Sequence, residues 1–214
     1  MNIMIVEKHL ILSVLVVLLL TLTSFVTHSS ADEDKPAALT IGASAPLRTE
    51  KMKAAVGDAV SLDDIKGSVG SLVVFTCNHC PWAQAWEGRI AEIAREFKDK
   101  GIHTIAVNPN DPAKYADDRL EKMAERAKAA DFQFPYVVDE GSKLAKAFGA
   151  SRTPEIFLFD KDWKLVYYGA VDDNANKPTD VRKSYLRDAM LALVGGKTID
   201  PATTKALGCG IKFY

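Results

Sequence analysis

The stretch Leu72-Val73-Val74-Phe75-Thr76-Cys77-Asn78-His79-Cys80-Pro81 decides the fold. Its first half is a short apolar run of β-branched and aromatic side chains, which indicates a buried strand. From Pro81 onward apolar residues recur at steps of three and four up to Phe97, and Gly101 ends the pattern. A helix of about five turns is therefore expected after the strand. Two cysteines, three residues apart, lie where the strand passes into the first turn of this helix.

The remaining chain alternates between strand and helix patterns. A second apolar strand over residues 102–107 follows the helix, so the two strands are expected to run parallel. Beyond it the sequence predicts a helix over 115–130, a strand over 136–138, a short helix over 142–148, a hairpin of strands 156–159 and 165–168, and a last helix over 181–194. This order predicts an α/β fold in which a central mixed β-sheet is flanked by helices.

The N-terminal residues 1–31 have the composition of an export signal. Lys8 precedes an apolar run of 17 residues, 10–26, which leads into Ser29-Ser30-Ala31. This order is typical of a secretory signal peptide, although a retained membrane anchor is an alternative because the run is only slightly shorter than a spanning helix. Residues 32–38 then form a polar tail. Under either interpretation the folded part lies outside the cytoplasm, in the periplasm or secreted.

Length and composition favour one domain. The chain has 214 residues, 48% of them hydrophobic, and a net charge of −1, so one ordinary core is expected and no nucleic-acid partner is indicated. We assign the domain to residues 39–195 and a C-terminal extension containing Cys209 to 196–214. Three cysteines are an odd number, which is unlike a framework of paired disulfides. No cofactor is expected.

The spacing of Cys77 and Cys80 suits redox chemistry. Two thiols across the first turn of a helix can form a disulfide, and the unpaired N–H groups of the helix N-terminus stabilise a thiolate at the first of them. We therefore expect Cys77 to be the exposed nucleophile with a lowered pKa, supported by a protonated His79. Cys80 is expected to have the higher pKa and to release a mixed disulfide by attacking Cys77.

Other interpretations of these cysteines remain open. A structural disulfide between Cys77 and Cys80 would close too small a loop to constrain the unfolded chain. Cys77, His79 and Cys80 are also potential ligands for Cu(I) or Zn(II), but zinc sites usually need a second ligand pair. Cys209, between two glycines, is interpreted either as a spare thiol or as a residue that takes part in redox cycling or crosslinks two chains.

The residues around these cysteines match a known family. The run 77–81 after a buried strand, together with Thr153-Pro154 before the strand 155–159, resembles the thioredoxin superfamily. The runs 171–174 and 208–212 are similar to the bacterial peroxiredoxin-like branch described as AhpC/TSA or redoxin-domain proteins. The resemblance covers about residues 39–195. It implies that Thr153-Pro154 is a cis peptide bond that faces the cysteines and offers its backbone to a substrate chain.

Two positions depart from thioredoxin itself. Ser71 stands where thioredoxin has a buried aspartate that accepts protons, and Thr76 stands where it has a tryptophan. Glu155, directly after Pro154, is a candidate to replace the missing proton acceptor. The alternative is that Glu155 is an ordinary solvated carboxylate.

A different departure concerns the peroxiredoxins. They carry proline and threonine seven and three residues before a peroxidatic cysteine, and aligning Cys80 with that cysteine puts Val73 and Cys77 at these places. The threonine hydroxyl that orients peroxide is therefore absent. Arg152 lies near the position of the peroxide-activating arginine, which keeps a peroxidase function open, and its alternative is a surface arginine.

The sequence as a whole predicts an extracytoplasmic thiol:disulfide oxidoreductase that exchanges disulfides with protein thiols and disulfides through Cys77 and Cys80. A membrane electron donor is required if the pair works as a reductant. Membrane contact of the chain itself is expected only if the N-terminal segment is retained. Two rival functions remain, an antioxidant thiol peroxidase that uses Cys80 and a metal-carrying module.

Overall fold

The computed structural model describes residues 37–214 of the chain. The predicted signal peptide or anchor, residues 1–31, and most of the polar tail lie outside the described residues. In the described range, no helix combines the length and the apolar character that crossing a membrane requires.

A central sheet of six strands organises the domain. The described residues contain eight strands, of which six form this sheet and two form a separate ribbon. They are β1 (Lys53–Ala54), β2 (Gly70–Phe75), β3 (Ile102–Asn108), β4 (Tyr136–Val138), β5 (Arg152–Thr153), β6 (Glu155–Asp160), β7 (Leu165–Gly169) and β8 (Cys209–Gly210). The central sheet has the order β1-β4-β3-β2-β6-β7, and β5 pairs with β8 in a separate ribbon. β2–β3 and β3–β4 are parallel, whereas the other pairs are antiparallel. The predicted mixed sheet is confirmed.

Helices cover both faces of this sheet. They are α1 (Pro81–Lys98), α2 (Leu120–Ala129), α3 (Lys143–Phe148) and α4 (Tyr185–Val194). Alternate residues of β2 point to opposite faces, as strand geometry requires. Leu72 and Val74 pack with residues of α1 and α4, and Val73 and Phe75 pack with residues of α3. Burying each large apolar side chain stabilises the fold by about 1.5–3 kcal/mol.

Two predicted helices begin later than their sequence patterns suggest. The helix expected over 115–130 begins at Leu120, because a separate 3₁₀ turn, Ala116–Asp118, precedes it. The last helix begins at Tyr185 and not at residue 181. The Asp173 carboxylate accepts the Arg182 N–H at 3.0 Å, which holds the preceding segment in a loop. The two-residue strands β1, β5 and β8 were not predicted.

Residues 196–214 pack against the rest of the domain. Ile211 is buried in the same core cluster as β2 and α3, and its N–H donates to the carbonyl of Ser151 at 3.0 Å. The Lys212 N–H donates to the side chain of Asn110 at 2.8 Å. These contacts place the C-terminal segment beside the end of the sheet at which the cysteines lie.

A buried carboxylate ties α1 to the loop before α4. Asp172 is 4% exposed and accepts a hydrogen bond of 2.8 Å from the Trp86 indole. It also accepts a hydrogen bond from the Arg89 guanidinium. Asp172 belongs to the run 171–174 that contributed to the family resemblance, and its role in the structure is to fix α1, the helix that carries the cysteine motif.

Candidate functional site

Three cysteines meet at the junction of β2 and α1. Cys77 follows the end of β2, and Cys80 is the residue that precedes the first turn of α1. The ribbon strand β8 brings Cys209 to the same place, where its Sγ lies 2.7 Å from the Sγ of Cys80. Together with Ala83 these cysteines form a small cluster of their own. Cys77 is 4% exposed, Cys80 is fully buried, and Cys209 is partly exposed.

The Thr153-Pro154 peptide bond is cis, as the resemblance implied. Thr153 is fully buried and touches both cysteines of the motif. Its Oγ1 lies 3.1 Å from the Sγ of Cys77, and its carbonyl oxygen lies 3.1 Å from the Sγ of Cys80, which donates to it when protonated. One residue therefore positions both sulfurs.

The backbone of Thr153 is already paired within the chain. In the β5–β8 ribbon Thr153 lies opposite Cys209, and Arg152 lies opposite Gly210. The resemblance implied that this backbone is offered to a substrate chain, whereas the structure shows the protein's own C-terminal strand there. Gly208 permits the approach, because a Cβ at this position would lie 2.4 Å from the Thr153 carbonyl oxygen.

The negative charge of the cluster is centred on Cys80. Hydrogen bonds from the Cys77 thiol, the Cys209 thiol and the Ala83 backbone lower the pKa of Cys80 to about 4, against the effect of burial. The pKa of Cys77 is raised by its hydrogen bond to Cys80 and by the burial of its thiol. Burial and the neighbouring Cys80 raise the pKa of Cys209 to about 11. The expectation of an exposed Cys77 is wrong, since Cys77 is 4% exposed. The raised pKa of Cys77 is also opposite in direction to the expected one.

His79 is partly exposed and is held in position by a buried acid. Its Nδ1 lies 2.7 Å from Oδ2 of Asp118, and its ring stacks on Tyr115 with a centroid distance of 4.2 Å. Asp118 is 1% exposed and also accepts hydrogen bonds from the side chains of Asn108 and Asn110. The charge of Asp118 helps to raise the pKa of Cys77. Sequence reasoning missed Asp118, because it lies in a charge-rich segment whose residues normally face water.

Asn78 fixes the loop between the two cysteines. Its N–H donates to Asp118 at 2.7 Å, and its side-chain amide donates to the carbonyl of Asp117 at 2.7 Å. The Tyr136 hydroxyl donates to Asn78 Oδ1 at 3.0 Å, and burial raises the pKa of this tyrosine well above its ordinary value. The Gln84 side chain donates to the carbonyl of Asn78 at 2.7 Å. Asn78 and Tyr136 are site residues that the sequence analysis did not identify.

Arg152 and Glu155 support the cluster from the ribbon side. The Arg152 side chain is exposed and donates to the carbonyl of Gly208 at 3.0 Å, so it anchors the segment that carries Cys209. Glu155 is only 5% exposed, and its Oε2 accepts the N–H groups of Ser151 and Arg152 at 2.7 and 3.1 Å. Glu155 is thus buried, contrary to the solvated alternative. Ser71 accepts the N–H of Gly67 at 3.2 Å.

A metal site could involve Cys77, His79 and Asp118. One ligand atom from each residue lies within 4.8 Å of the others. This set replaces the predicted Cys80 with Asp118. The Asp118 oxygens already accept hydrogen bonds from Asn78 and from two further asparagine side chains, so a metal would have to compete with these donors.

Known proteins resemble the chain in sequence over its central part. A model of the AhpC/TSA family matches residues 41–168. A curated relative is the thiol-disulfide oxidoreductase ResA of Bacillus thuringiensis subsp. konkukian, which is 28% identical over 110 residues. The matched part covers 51% of this chain and 59% of that protein. The chain therefore spans less than two thirds of the length of this relative.

Solved structures resemble the chain over more of its length. An uncharacterized conserved protein from Geobacillus kaustophilus has a TM-score of 0.77 and 32% identity, over 82% of this chain and 93% of the other. Peroxidoxin BcpB from Mycobacterium tuberculosis has a TM-score of 0.57 and 16% identity, over 74% and 97% of the two chains, a likeness that shows only the fold. The family model covers more than half of the sequence. The chain belongs to the AhpC/TSA family.

Proposed function

We propose that this protein is a thiol:disulfide oxidoreductase that exchanges disulfides with protein partners through Cys77 and Cys80. The observation that carries the proposal is the contact of Thr153 with both sulfurs, each at 3.1 Å, beside a cis prolyl bond. The name of the ResA relatives supports the same chemistry. We also propose that the protein works outside the cytoplasm, on the basis of the export pattern in residues 1–31.

The exchange reaction begins with a proton transfer inside the cluster. In the reduced protein the pKa of Cys80 is lowered and that of Cys77 is raised, so the pair keeps its proton on Cys77. Movement of this proton to Cys80 creates a thiolate on Cys77, the less buried of the two sulfurs. The Thr153 hydroxyl, 3.1 Å from Cys77, can donate to this thiolate and stabilise it.

The thiolate on Cys77 then attacks a disulfide of the partner. A bond forms between Cys77 and one partner sulfur, the partner disulfide breaks, and the other partner sulfur leaves as a thiolate. Cys80 next gives its proton to the partner thiolate that has just left and attacks the Sγ of Cys77. The Cys77–Cys80 disulfide forms, and the first partner sulfur is released as a thiolate. The partner gains two electrons and the protein loses two. The reverse sequence of steps oxidises a partner dithiol.

Single-cysteine variants test the roles of Cys77 and Cys80. We expect Cys80→Ser to accumulate mixed disulfides with partner proteins through Cys77, since the resolving sulfur is missing. We expect Cys77→Ser to trap none in this way and to lose the reduction of insulin by dithiothreitol. Both variants are compared with the unaltered protein by non-reducing electrophoresis and mass spectrometry. Trapping by Cys77→Ser alone would contradict the assignment.

Export is tested on protein from the native host. A mature N-terminus near Asp32, found by sequencing, agrees with the proposal of a cleaved signal peptide. A retained anchor instead leaves the full chain in the membrane fraction. Recovery of soluble cytoplasmic protein with an intact Met1 would contradict both versions.

A thiol peroxidase is the second candidate function, and the lowered pKa of Cys80 favours it. A thiolate at this position is the species that hydroperoxides oxidise to sulfenic acid. Two observations weigh against it: Cys80 is fully buried, and Arg152 is bound to Gly208. A sulfenic-acid reagent decides the matter, applied to Cys77→Ser combined with Cys209→Ser after stoichiometric peroxide. Rapid labelling of Cys80 would support the peroxidase.

A further inference from the structure

The exchange mechanism above uses two of the three thiols in the cluster. We propose that Cys209 is a third redox-active cysteine, which takes over the disulfide from the buried motif by forming a Cys80–Cys209 bond and presents it to a second thiol partner. This inference rests on the proposed thiol exchange at Cys77 and Cys80.

The distance between the sulfurs is the first support. The Sγ atoms of Cys80 and Cys209 lie 2.7 Å apart, which is shorter than the van der Waals contact distance of two sulfur atoms. Cys209 lies opposite Thr153 in the ribbon, and Thr153 itself contacts Cys80. Formation of a bond between the two sulfurs therefore needs a small movement of side chains and no change of fold.

The fold holds the segment around Cys209 in place. Arg152 donates to the carbonyl of Gly208 on one side of the cysteine, and Ile211 is buried in the core on the other side. Gly208 packs against the Thr153 carbonyl, where any larger residue would collide. The position of Cys209 is thus built by contacts on both sides of it and is not a chance approach of a loose chain end.

The step itself is a disulfide exchange within the protein. Starting from the Cys77–Cys80 disulfide, the Cys209 thiolate attacks the Sγ of Cys80. The Cys80–Cys209 bond forms, the Cys77–Cys80 bond breaks, and Cys77 leaves as a thiolate that takes up the proton lost by Cys209. No electron enters or leaves the protein, so no further oxidant is required.

The redox state of Cys80 controls the reactivity of Cys209. In the reduced protein, burial and the charged Cys80 keep Cys209 protonated, with a pKa of about 11. Once Cys80 is bonded to Cys77 it carries no charge and no longer raises the pKa of Cys209. Burial still raises this pKa, and the charge of Lys212 still lowers it. Cys209 therefore becomes a better nucleophile when a disulfide is present to attack.

Exposure determines the direction of the transfer. Cys209 is the most accessible of the three cysteines, whereas Cys80 is fully buried. A partner thiol that attacks the Cys80–Cys209 disulfide at Cys209 releases Cys80 as a thiolate, and a sulfur with a low pKa leaves readily. A second thiol of the same partner then displaces Cys209. The partner dithiol is oxidised to a disulfide, and the protein regains its reduced form.

Disulfide mapping of a Cys77→Ser variant tests the bond. The reduced variant is treated with oxidised glutathione, quenched with acid and digested without reduction. We expect an intramolecular Cys80–Cys209 disulfide in monomeric protein. When Gly208→Ala is combined with Cys77→Ser, the Cys80–Cys209 disulfide should form at least about tenfold more slowly, because the new Cβ displaces the ribbon. Adding Gly210→Ala is the matched control and should leave the rate unchanged, since a Cβ there meets no atom within 4 Å.

The unaltered protein provides an independent measurement that needs no variant to fold. After oxidation by one equivalent of oxidised glutathione, we expect both Cys77–Cys80 and Cys80–Cys209 disulfides in the acid-quenched protein. Two results together would overturn the inference. They are glutathione adducts or crosslinked dimers in place of the Cys80–Cys209 bond in Cys77→Ser, and only the Cys77–Cys80 disulfide in the unaltered protein. Insulin reduction by the unaltered protein with dithiothreitol separates the two proposals. If this activity is present while no Cys80–Cys209 bond forms, the inference about Cys209 fails and the proposed function stands.

Discussion

Replacement of Cys209 by alanine tests how the charge on Cys80 is stabilised. The Cys209 Sγ lies 2.7 Å from the Cys80 Sγ. The Cys209 thiol is one of four groups whose hydrogen bonds lower the pKa of Cys80, with the Cys77 thiol and the backbones of Ala83 and Cys209. A hydrogen bond to a charged group contributes about 1.5–3 kcal/mol, and 1.36 kcal/mol corresponds to about one pKa unit. We therefore expect Cys209→Ala to raise the pKa of Cys80 from about 4 to about 5 or 6.

The assay follows the ultraviolet absorbance of the thiolate as the reduced protein is titrated. Alkylation at several pH values, followed by peptide mapping, assigns the charge to Cys80. Cys209→Ser is the matched control, because its hydroxyl still donates and should keep the pKa close to that of the unaltered protein. An unchanged titration in Cys209→Ala would refute the reasoning, since the third thiol would then contribute nothing to the charge at Cys80.

Three further predictions concern stability and charge. Trp86→Phe loses the hydrogen bond to the buried Asp172, so the free energy of unfolding measured in urea should fall by about 2 kcal/mol. The same substitution at the exposed Trp82 should change it by less than about 0.5 kcal/mol. Cys80 has a lower pKa when folded, so the unfolded chain binds more protons between pH about 4 and 9.0. The free energy of unfolding of the reduced protein should therefore rise with pH across that window and fall as the pH drops toward 4, and Cys80→Ser should flatten this dependence in parallel titrations. Asp118→Asn removes a charge that raises the pKa of Cys77, so alkylation of Cys77 should begin at lower pH.

Local patterns in the sequence were sufficient to predict the scaffold of the site. The apolar run before Cys77 and the periodicity after Pro81 gave the strand and helix, because each pattern depends on neighbouring residues only. The observed bounds, Gly70–Phe75 and Pro81–Lys98, agree with them. The cis bond before Pro154 followed from the family resemblance and not from local preference, which favours trans.

The electrostatics of the site depend on residues that are distant in sequence. Asp118 is 40 positions from Asn78, and Cys209 is 129 positions from Cys80. The contact between Cys77 and Cys80 is the largest cause of the reversed order of their pKa values, and the distant Cys209 thiol and Asp118 charge act in the same direction. A helix N-terminus alone predicts a thiolate at the first cysteine. It cannot predict that a second and a third thiol both donate to the same sulfur.

The central position of Cys80 gives both disulfides of the cluster the same leaving group. A thiol that attacks the Cys77–Cys80 bond at Cys77, or the Cys80–Cys209 bond at Cys209, releases Cys80, the sulfur whose pKa is lowered to about 4. Departure of such a thiolate is fast, and its stabilisation favours the reduced protein over either disulfide. Each disulfide is therefore a stronger oxidant than the same bond between two thiols of ordinary pKa. The position of the third cysteine then determines where this oxidising bond is exposed to a partner.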